Sequence, residues 1–356
     1  MTLPYGGPIF TRNDDPHLLS SPTPLDIPPE IWYDDAYYIR KKANTMLNAV
    51  ILDAATLGDD LSFAPLEALT HLTIHQLTAP EEIPARIAHA DIVICNKLRL
   101  NETNLSGSPV KLICVTATGY DNIDVDHCRA HNIAVCNVRG YSTDSVAQLT
   151  VAMVLELTMK LSARHAYVQS GAYARSGVAN QLTPAFHELS GKTWGILGAG
   201  NIGNKVATIA EAFGCNVLRH RRSGGIDLTT LLTESDILTI HTPLTSETRG
   251  MIGKTQLAQM KPGAILVNVS RGAVTDEAAL ADALQSGHLG GLGVDVYSQE
   301  PFPEDHPFYP LRLHPNLCLT PHMAWAALEA RQRCIDEIAQ NIHSFLSNAP
   351  RNRVDL

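Results

Sequence analysis

Apolar runs rich in β-branched residues alternate with helical segments along most of the chain, beginning at residue 46. The first series of such runs reads AVILDAATL, HLTIHQL, DIVICN, KLICVTA and IAVCNV. Short apolar runs separated by helices are typical of a parallel sheet that helices cover on both faces. The pattern therefore predicts an α/β fold for this part of the chain.

A long apolar helix separates this series from a second one. Residues 142–165, STDSVAQLTVAMVLELTMKLSARH, are apolar nearly all round, which predicts one helix buried between domains or subunits. Ser142 or Thr143 is expected to cap its start. The second series reads TWGILG, CNVLRH, ILTIH, AILVNVS, LGGLGVDVY and NLCLT. A final helix, AWAALEARQRCIDEIAQNIHSFL, is expected to end at residues 348–350.

Residues 1–45 follow a different pattern. They are rich in proline and have no sustained apolar periodicity, which predicts an irregular N-terminal extension. The stretch DDAYYIRKKAN near its end is a candidate short helix. Two interpretations of the extension stay open: an accessory arm, or an annotated leader upstream of a true start at Met46.

Composition and charge narrow the class of protein. The chain has 356 residues, which is enough for roughly two domains, and its 45% hydrophobic and 18% charged residues are ordinary for a globular protein. The net charge of -9 argues against nucleic acid or an anionic membrane as the main partner. We find neither a secretory signal nor an apolar run of ~18 residues, so we expect a cytoplasmic enzyme.

Cysteine and histidine do not indicate a metal site. The seven cysteines are odd in number and form no CxxC pair, which is typical of core thiols in a reducing compartment. His71 and His75 share the polar face of one predicted strand without a third ligand nearby. We therefore expect no metal.

A glycine loop provides the first specific signal. The strand TWGIL runs directly into Gly198-Ala199-Gly200-Asn201-Ile202-Gly203, and a helix follows. In this strand–turn–helix context the three glycines permit a tight turn, close approach of a pyrophosphate, and close packing of helix on strand. The loop therefore predicts a Rossmann-type dinucleotide site with contacts at Gly198, Gly200, Asn201, Ile202 and Gly203.

The end of the next strand, NVLRH, indicates which dinucleotide binds. An NAD site requires a carboxylate there for the ribose 2′-hydroxyl, but the chain has Arg221, Arg222 and Ser223, and no carboxylate before Asp227. Guanidinium groups suit a 2′-phosphate, so we expect NADP to be favoured over NAD. The alternative is an exposed basic turn, with the ribose held by other groups.

Four further segments carry a family resemblance. LVNVSRGAVTDEAAL, GVDVYSQEP, LTPHMAWA and GYDNIDVDHCRAHNIAVCNVRGYSTDSVAQ resemble the D-isomer-specific 2-hydroxyacid dehydrogenase family, and the likeness extends over nearly all of the chain after residue 46. The resemblance implies that His322 is the acid that protonates the keto oxygen, and that Glu300 orients it and keeps it protonated near neutrality. It also implies that Arg271 bridges the substrate carboxylate and keto oxygen. The alternatives are surface charges and a helix cap.

The resemblance implies further contacts. Those to the cofactor come from the ends of two strands: His241, Thr242, Pro243 and Asp295. Those to the substrate carboxylate come from backbone N–H groups of two turns: Asn96, Lys97, Leu98 and Gly119. Each is also explained as a structural strand end, and Lys97 as a solvated loop cation.

The substrate is narrowed by likeness within the family. DAATLGDDLSFAPLEAL, and TPHMAWA with Trp325, resemble glycerate dehydrogenases, also called hydroxypyruvate or glyoxylate reductases. Glu300 is a carboxylate where related formate dehydrogenases have an amide, which disfavours formate. We expect reduction of hydroxypyruvate or glyoxylate to the D-2-hydroxy acid by hydride transfer from NAD(P)H. D-lactate, other 2-keto acids, and a corepressor-like NAD(P)-sensing protein stay open.

Together these features predict two doubly wound parallel-sheet lobes with a cleft between them. The substrate lobe, flavodoxin-like, is expected to consist of residues 46–144 and 323–356, and the Rossmann cofactor lobe of residues 145–322. The long apolar helix and the resemblance imply a homodimer.

Overall fold

Two parallel sheets organise the part of the chain that the computed structural model describes, residues 46–356. The predicted irregular extension 1–45, with its candidate helix, lies outside the described residues. The strands are β1 (Asn48–Ile51), β2 (His71–Ile74), β3 (Ile92–Cys95), β4 (Leu112–Val115), β5 (Ala134–Cys136), β6 (Thr193–Leu197), β7 (Asn216–His220), β8 (Ile237–Ile240), β9 (Ala264–Asn268), β10 (Leu289–Val294) and β11 (Leu317–Leu319).

Helices connect these strands, as parallel pairing requires. They are α1 (Ala64–Glu67), α2 (Ile83–Ile87), α3 (Glu102–Leu105), α4 (Val125–Ala130), α5 (Thr143–Met159), α6 (Leu161–Gln169), α7 (Ala172–Ser176), α8 (Asn201–Ala212), α9 (Leu228–Glu234), α10 (Lys254–Leu257), α11 (Glu277–Gln285) and α12 (Leu328–Leu346). Short 3₁₀ turns cover Ala54–Thr56, Pro80–Glu82 and Gly272–Val274.

The strand order reverses once in each sheet. The five-stranded sheet has the order β2-β1-β3-β4-β5 and the six-stranded sheet the order β11-β10-β9-β8-β6-β7, and all pairs are parallel. Both are therefore doubly wound, with switch points between β1 and β3 and between β6 and β8. Ligands of such sheets bind at the carboxyl ends of the strands at a switch point. The α/β fold predicted from the sequence is confirmed.

Strands β1, β3, β4 and β5 of the five-stranded sheet are buried on both faces because alternate strand residues enter two separate apolar clusters, whereas the edge strand β2 is largely exposed. Ile51 and Ile94 pack with α12, including Ile338. Val50 and Val93 face the opposite cluster, which the connecting helices cover. Complete burial of each such side chain contributes about 1.5–3 kcal/mol, which explains the continuous apolar runs in the sequence. The C-terminal helix thus packs on the first sheet, while the exact domain boundaries stay a prediction.

The long apolar segment after Tyr141 is two helices rather than one. Helix α5 packs against α8 and the six-stranded sheet, but Lys160 adopts a left-handed backbone (φ 55°) that ends it. Helix α6 continues at a bend of 59°. The predicted Ser142 cap also does not form, and the Thr143 hydroxyl donates to the Gly140 carbonyl instead. In residues 46–356 no single helix is long and apolar enough to cross a membrane, although α5 and α6 together pass on length and composition.

Candidate active site

The glycine loop lies at the β6/β8 switch point. Gly198 has φ +98°, and a Cβ there would lie 2.6 Å from the Thr242 nitrogen, so the turn needs glycine. A Cβ on Gly203 would lie 2.3 Å from the Gly198 oxygen. By contrast, a Cβ on Gly200 would meet nothing within 4 Å, and this residue begins α8 without a side-chain cap. The open space beside free N–H groups of Asn201 and Ile202 fits a dinucleotide diphosphate.

The strand end that follows β8 supports the loop by its backbone. His241 and Thr242 pack directly against Gly198. The His241 imidazole contacts the Thr239 hydroxyl at 3.0 Å, and burial lowers the pKa of His241 to about 3. Its Nδ1 is buried without a partner in the described chain. The His241 side chain therefore points inward, and Thr242 and Pro243 are left to edge the predicted cofactor site.

The basic turn after β7 is exposed. A bridge between His220 and Gly225 closes the turn. Arg222 pairs with Glu247 at 2.8 Å, both side chains being largely in solvent, and Arg221 has no ion-pair partner among residues 46–356. The nearest following carboxylate, Asp227, accepts the Thr230 N–H and caps α9. It is thus engaged in holding the helix rather than a ribose.

The predicted acid and its partner meet as a pair. Glu300 Oε2 lies 2.6 Å from His322 Nδ1, while Glu300 Oε1 accepts the Tyr297 N–H at 3.1 Å. Burial alone would raise the pKa of Glu300, but the hydrogen bond and charge of His322, together with Lys97, outweigh it and lower the pKa to about 2. Glu300 is therefore a carboxylate at neutral pH. Because the Glu300 carboxylate binds Nδ1 of the His322 ring, the other ring nitrogen, Nε2, is free to face a substrate.

Asp295 supports the loop that carries His322. Its carboxylate accepts the Thr320 hydroxyl at 2.6 Å and the N–H groups of Met323 and Ala324 at 2.8 and 2.9 Å. Burial raises the pKa of Asp295, and these hydrogen bonds oppose the shift. They hold His322 at φ +52°, a conformation that costs a non-glycine residue free energy.

Two expectations change as a result. The carboxylate of Asp295 is fully buried, so it has no exposed surface for the cofactor contact that the resemblance implied. The final helix begins at Leu328 rather than Ala324, because the N–H groups of Met323 and Ala324 bind Asp295 and the backbone here is not helical.

A second cluster, around the buried side chains of Glu277 and His306, anchors the loop that carries Glu300. No role was predicted for these residues from the sequence. The Glu277 carboxylate accepts the Ser298 N–H at 2.8 Å and the Ser298 hydroxyl. His306 Nε2 lies 3.1 Å from the same carboxylate, and its Nδ1 accepts the Phe308 N–H. The imidazole thus carries its proton on Nε2 and donates to Glu277. The only sign of this role in the sequence is the acidic pair in VTDEAAL, and acidic residues are also common at the start of a helix.

The backbone N–H groups of the turn after β3 have a different hydrogen-bond partner from the one that we expected. The N–H groups of Asn96 and Lys97 donate to Asp53 at 2.9 and 2.8 Å, so neither is presented to a substrate carboxylate as we predicted. Burial raises the pKa of Asp53, and the hydrogen bonds from the turn oppose this shift. Asn122 donates to the Leu98 carbonyl and holds the other side of the turn. The Lys97 side chain is not simply solvated, since it reaches Glu300 at 3.2 Å.

Arg271 follows β9 and crosses toward the first lobe. Its Nε lies 3.3 Å from Asp121, and its Nη1 donates to the Ser270 carbonyl. A Cβ on Gly119 would lie 1.7 Å from Arg271 Nη2, so the guanidinium rests directly on this glycine. The structure thereby brings Arg271 and Gly119 together, as the substrate site requires. Asp121 was missed because GYDNID carried the resemblance without a role for that residue.

Within residues 46–356, no group of three or more His, Cys, Asp or Glu side chains is placed to hold a metal ion.

The chain matches known proteins over most of its length. The model of the D-isomer specific 2-hydroxyacid dehydrogenase, NAD binding domain, matches residues 151–324. A glycerate dehydrogenase of Methylorubrum extorquens is 39% identical over 280 residues, which cover 78% of this chain and 89% of that protein. The chain belongs to the D-isomer-specific 2-hydroxyacid dehydrogenase family.

A further relative and a solved structure are also similar to this chain over most of its length. A hydroxypyruvate reductase of Blautia hydrogenotrophica is 34% identical over 324 residues, covering 87% of this chain and all (100%) of that protein. Among solved structures, an acyclic imino acid reductase in complex with NADPH and D-Arg superposes with a TM-score of 0.76 at 27% identity, covering 86% of this chain and 99% of that one. This protein is a D-2-hydroxyacid dehydrogenase that uses a nicotinamide cofactor, so the predicted family and reaction class are confirmed.

Proposed function

We propose that this D-2-hydroxyacid dehydrogenase reduces hydroxypyruvate or glyoxylate to the corresponding D-2-hydroxy acid. The observation that carries the proposal is the Glu300–His322 pair at 2.6 Å, in which Glu300 follows β10 and His322 follows β11, while Arg271 follows the neighbouring strand β9. Relatives named glycerate dehydrogenase and hydroxypyruvate reductase favour these substrates over other 2-keto acids.

The residues divide the chemistry between them. The glycine loop would hold the diphosphate of a nicotinamide dinucleotide, whose reduced form would supply a hydride for the carbonyl carbon. His322 donates the Nε2 proton to the keto oxygen, and Glu300 stabilises the imidazolium through Nδ1 beforehand. Arg271 binds the substrate carboxylate and stabilises the negative charge that develops on the keto oxygen. The left-handed backbone at His322 aims the ring at this position.

A turnover assay tests the proposal. The purified full-length protein is mixed with NADPH or NADH and each of hydroxypyruvate, glyoxylate, pyruvate and a branched 2-keto acid, and absorbance is followed at about 340 nm. We expect the highest kcat/KM with hydroxypyruvate or glyoxylate. Highest kcat/KM with pyruvate would reassign the substrate, and no oxidation of either cofactor with any acid would reject the enzymatic function.

We propose NADP as the cofactor, because Arg221 has no ion-pair partner among residues 46–356 and Asp227, the first carboxylate after β7, is engaged in capping α9. Arg221→Ala is expected to lower kcat/KM for NADPH by about 10- to 100-fold, since a charge-assisted hydrogen bond to phosphate contributes about 1.5–3 kcal/mol. The value for NADH should change little. Arg219→Ala, which removes a guanidinium of β7 that is paired with Glu211 of α8, is the control. Equal losses with both cofactors, or a wild-type preference for NADH, would contradict the assignment.

We also propose that the protein forms a homodimer, through the segment that follows α5. The segment exposes apolar side chains: Leu161 (59%), Val168 (55%), Tyr173 (41%), Val178 (62%), Leu182 (78%) and Phe186 (51%). Exposed apolar surface concentrated in one segment is typical of an interface. Helix α5, by contrast, is buried within the cofactor lobe, so it is not itself the surface that we expected.

Sedimentation and light scattering test the dimer. We expect twice the chain mass for the wild type and for Leu313→Asp, which alters an equally exposed apolar residue outside the segment. The double variant Val178→Asp/Leu182→Asp should lower the mass toward that of one chain, because two buried carboxylates are unfavourable at an apolar interface. A dimer unaffected by the double variant would place the interface elsewhere.

A further inference from the structure

One cation of the substrate lobe reaches the predicted acid of the cofactor lobe. Lys97 Nζ lies 3.2 Å from Glu300 Oε2 and 3.0 Å from His322 Nδ1, and those two atoms are themselves 2.6 Å apart. The three atoms thus form a closed triangle. The Lys97 side chain is 44% exposed, compared with 27% for Glu300 and 19% for His322, so the pairing is partly shielded from water.

Lys97 and Glu300 compete for a hydrogen bond with the same atom of the His322 imidazole, Nδ1. Nδ1 either carries a proton and donates to Glu300, or lacks it and accepts from Lys97. A protonated imidazole can make only the first of these bonds, and it then faces a second positive charge at 3.0 Å. Lys97 therefore stabilises Glu300 as a carboxylate while it opposes the protonated form of His322.

The backbone that carries Lys97 is held in place by the fold. Its N–H donates to the buried carboxylate of Asp53 at the end of β1, and Asn96 donates to the same group. The turn is thus clamped at the β1/β3 switch point. Because the anchoring bonds come from the backbone, replacing the Lys97 side chain leaves them in place.

We propose that Lys97 is a positioning residue of the reaction, which acts through Glu300 and sets the pH at which His322 gives up its proton. The charged groups that face His322 are Glu300 from the loop beyond β10, Asp295 from the end of β10, and Lys97 from the other lobe. With Asp295 committed to three hydrogen bonds, Lys97 is the cation that can bias the pair. This inference rests on the proposed function.

The charge balance gives the direction of the effect. With His322 protonated, Glu300 ionised and Lys97 charged, the cluster carries one net positive charge. Donation of the proton to the keto oxygen leaves the cluster neutral. Lys97 therefore favours transfer toward the substrate, which is the direction of reduction.

Lys97→Met tests the inference by removing the charge but keeping the length of the side chain. Without the cation the protonated imidazole persists to higher pH, so the alkaline limb of kcat/KM for keto-acid reduction should move up by about 0.5 to 1 pH unit. Lys97→Arg should restore the wild-type profile. Lys111→Met is the matched control, because Lys111 pairs with Asp91 on the surface of the same lobe. The titration midpoint of the His322 ring, followed by NMR with labelled histidine, should show the same shift without substrate.

The outcomes are distinguishable. An unchanged midpoint in Lys97→Met overturns the inference, and so does an equal shift in Lys111→Met. A raised KM with no shift in pH profile would mean that Lys97 binds substrate instead, which also overturns it. If no 2-keto acid is reduced by the wild type, the proposed function fails, and the NMR midpoint alone then decides for or against Lys97.

Discussion

His322→Gln is expected to lower kcat for keto-acid reduction by about 10²- to 10⁴-fold, the usual contribution of a general acid. Glutamine keeps a polar side chain of similar reach, but its amide N–H is far too weak an acid to protonate the keto oxygen. Glu300 then has no imidazolium to stabilise, and it loses the group that contributes most to lowering its pKa. Binding of the cofactor should be unchanged, because the glycine loop beyond β6 makes no contact with this side chain.

Steady-state kinetics and cofactor titration by fluorescence measure the two effects separately. His89→Gln is the control, since His89 is exposed and distant from the glycine loop in the fold. Loss of turnover with intact cofactor binding supports the acid role. Loss of both together would instead indicate that His322 maintains the structure, and full activity would exclude it from proton transfer.

Asp295→Ala is expected to give the largest loss of stability, about 3–4 kcal/mol in the free energy of unfolding. The substitution removes the acceptor of three hydrogen bonds, of which the one from Ala324 is buried and the other two are partly buried, and a buried donor left unpaired costs about 1–3 kcal/mol. The Thr320 hydroxyl and the N–H groups of Met323 and Ala324 would lose their partner. Loss of these hydrogen bonds also removes the restraint on the left-handed backbone of His322. We therefore expect kcat to fall as well in the protein that remains folded.

Denaturant unfolding at neutral pH measures this loss. Asp282→Ala, on the exposed face of α11, should change the free energy of unfolding by no more than about 0.5 kcal/mol. Asp295→Asn keeps the side-chain volume and one acceptor oxygen, so an intermediate loss is expected. If Asp295→Ala were as stable as the wild type, the three hydrogen bonds would not hold the His322 loop.

Local sequence predicted those parts of the site that depend on one contiguous segment. The glycine loop is an example, because a strand, three glycines and a helix follow one another directly in the chain. The family, the fold class and the reaction class also followed from motifs that are continuous in the chain.

Contacts between distant segments could not be predicted in this way. The backbone N–H groups after β3 were assigned to the substrate, whereas Asp53, about 43 residues earlier, accepts them. The long apolar helix breaks at Lys160, where the backbone turns left-handed and the ammonium donates to the Pro315 carbonyl of a distant segment. Asp121 carries no local signal, and Glu277 carries only an acidic pair that also suits a helix start, because the partners of both residues lie in other elements.

The sequence by itself therefore determined the α/β class, the dinucleotide loop and the candidacy of Arg271, Glu300 and His322, because apolar periodicity and motif spacing are local properties. Only the tertiary structure decided how these groups are charged and aimed. The 2.6 Å contact of Glu300 with His322, and the 3.0 Å approach of Lys97 from the other lobe, depend on two sheets meeting at their carboxyl ends. Electrostatic interactions act through space, so the order of residues along the chain does not reveal them.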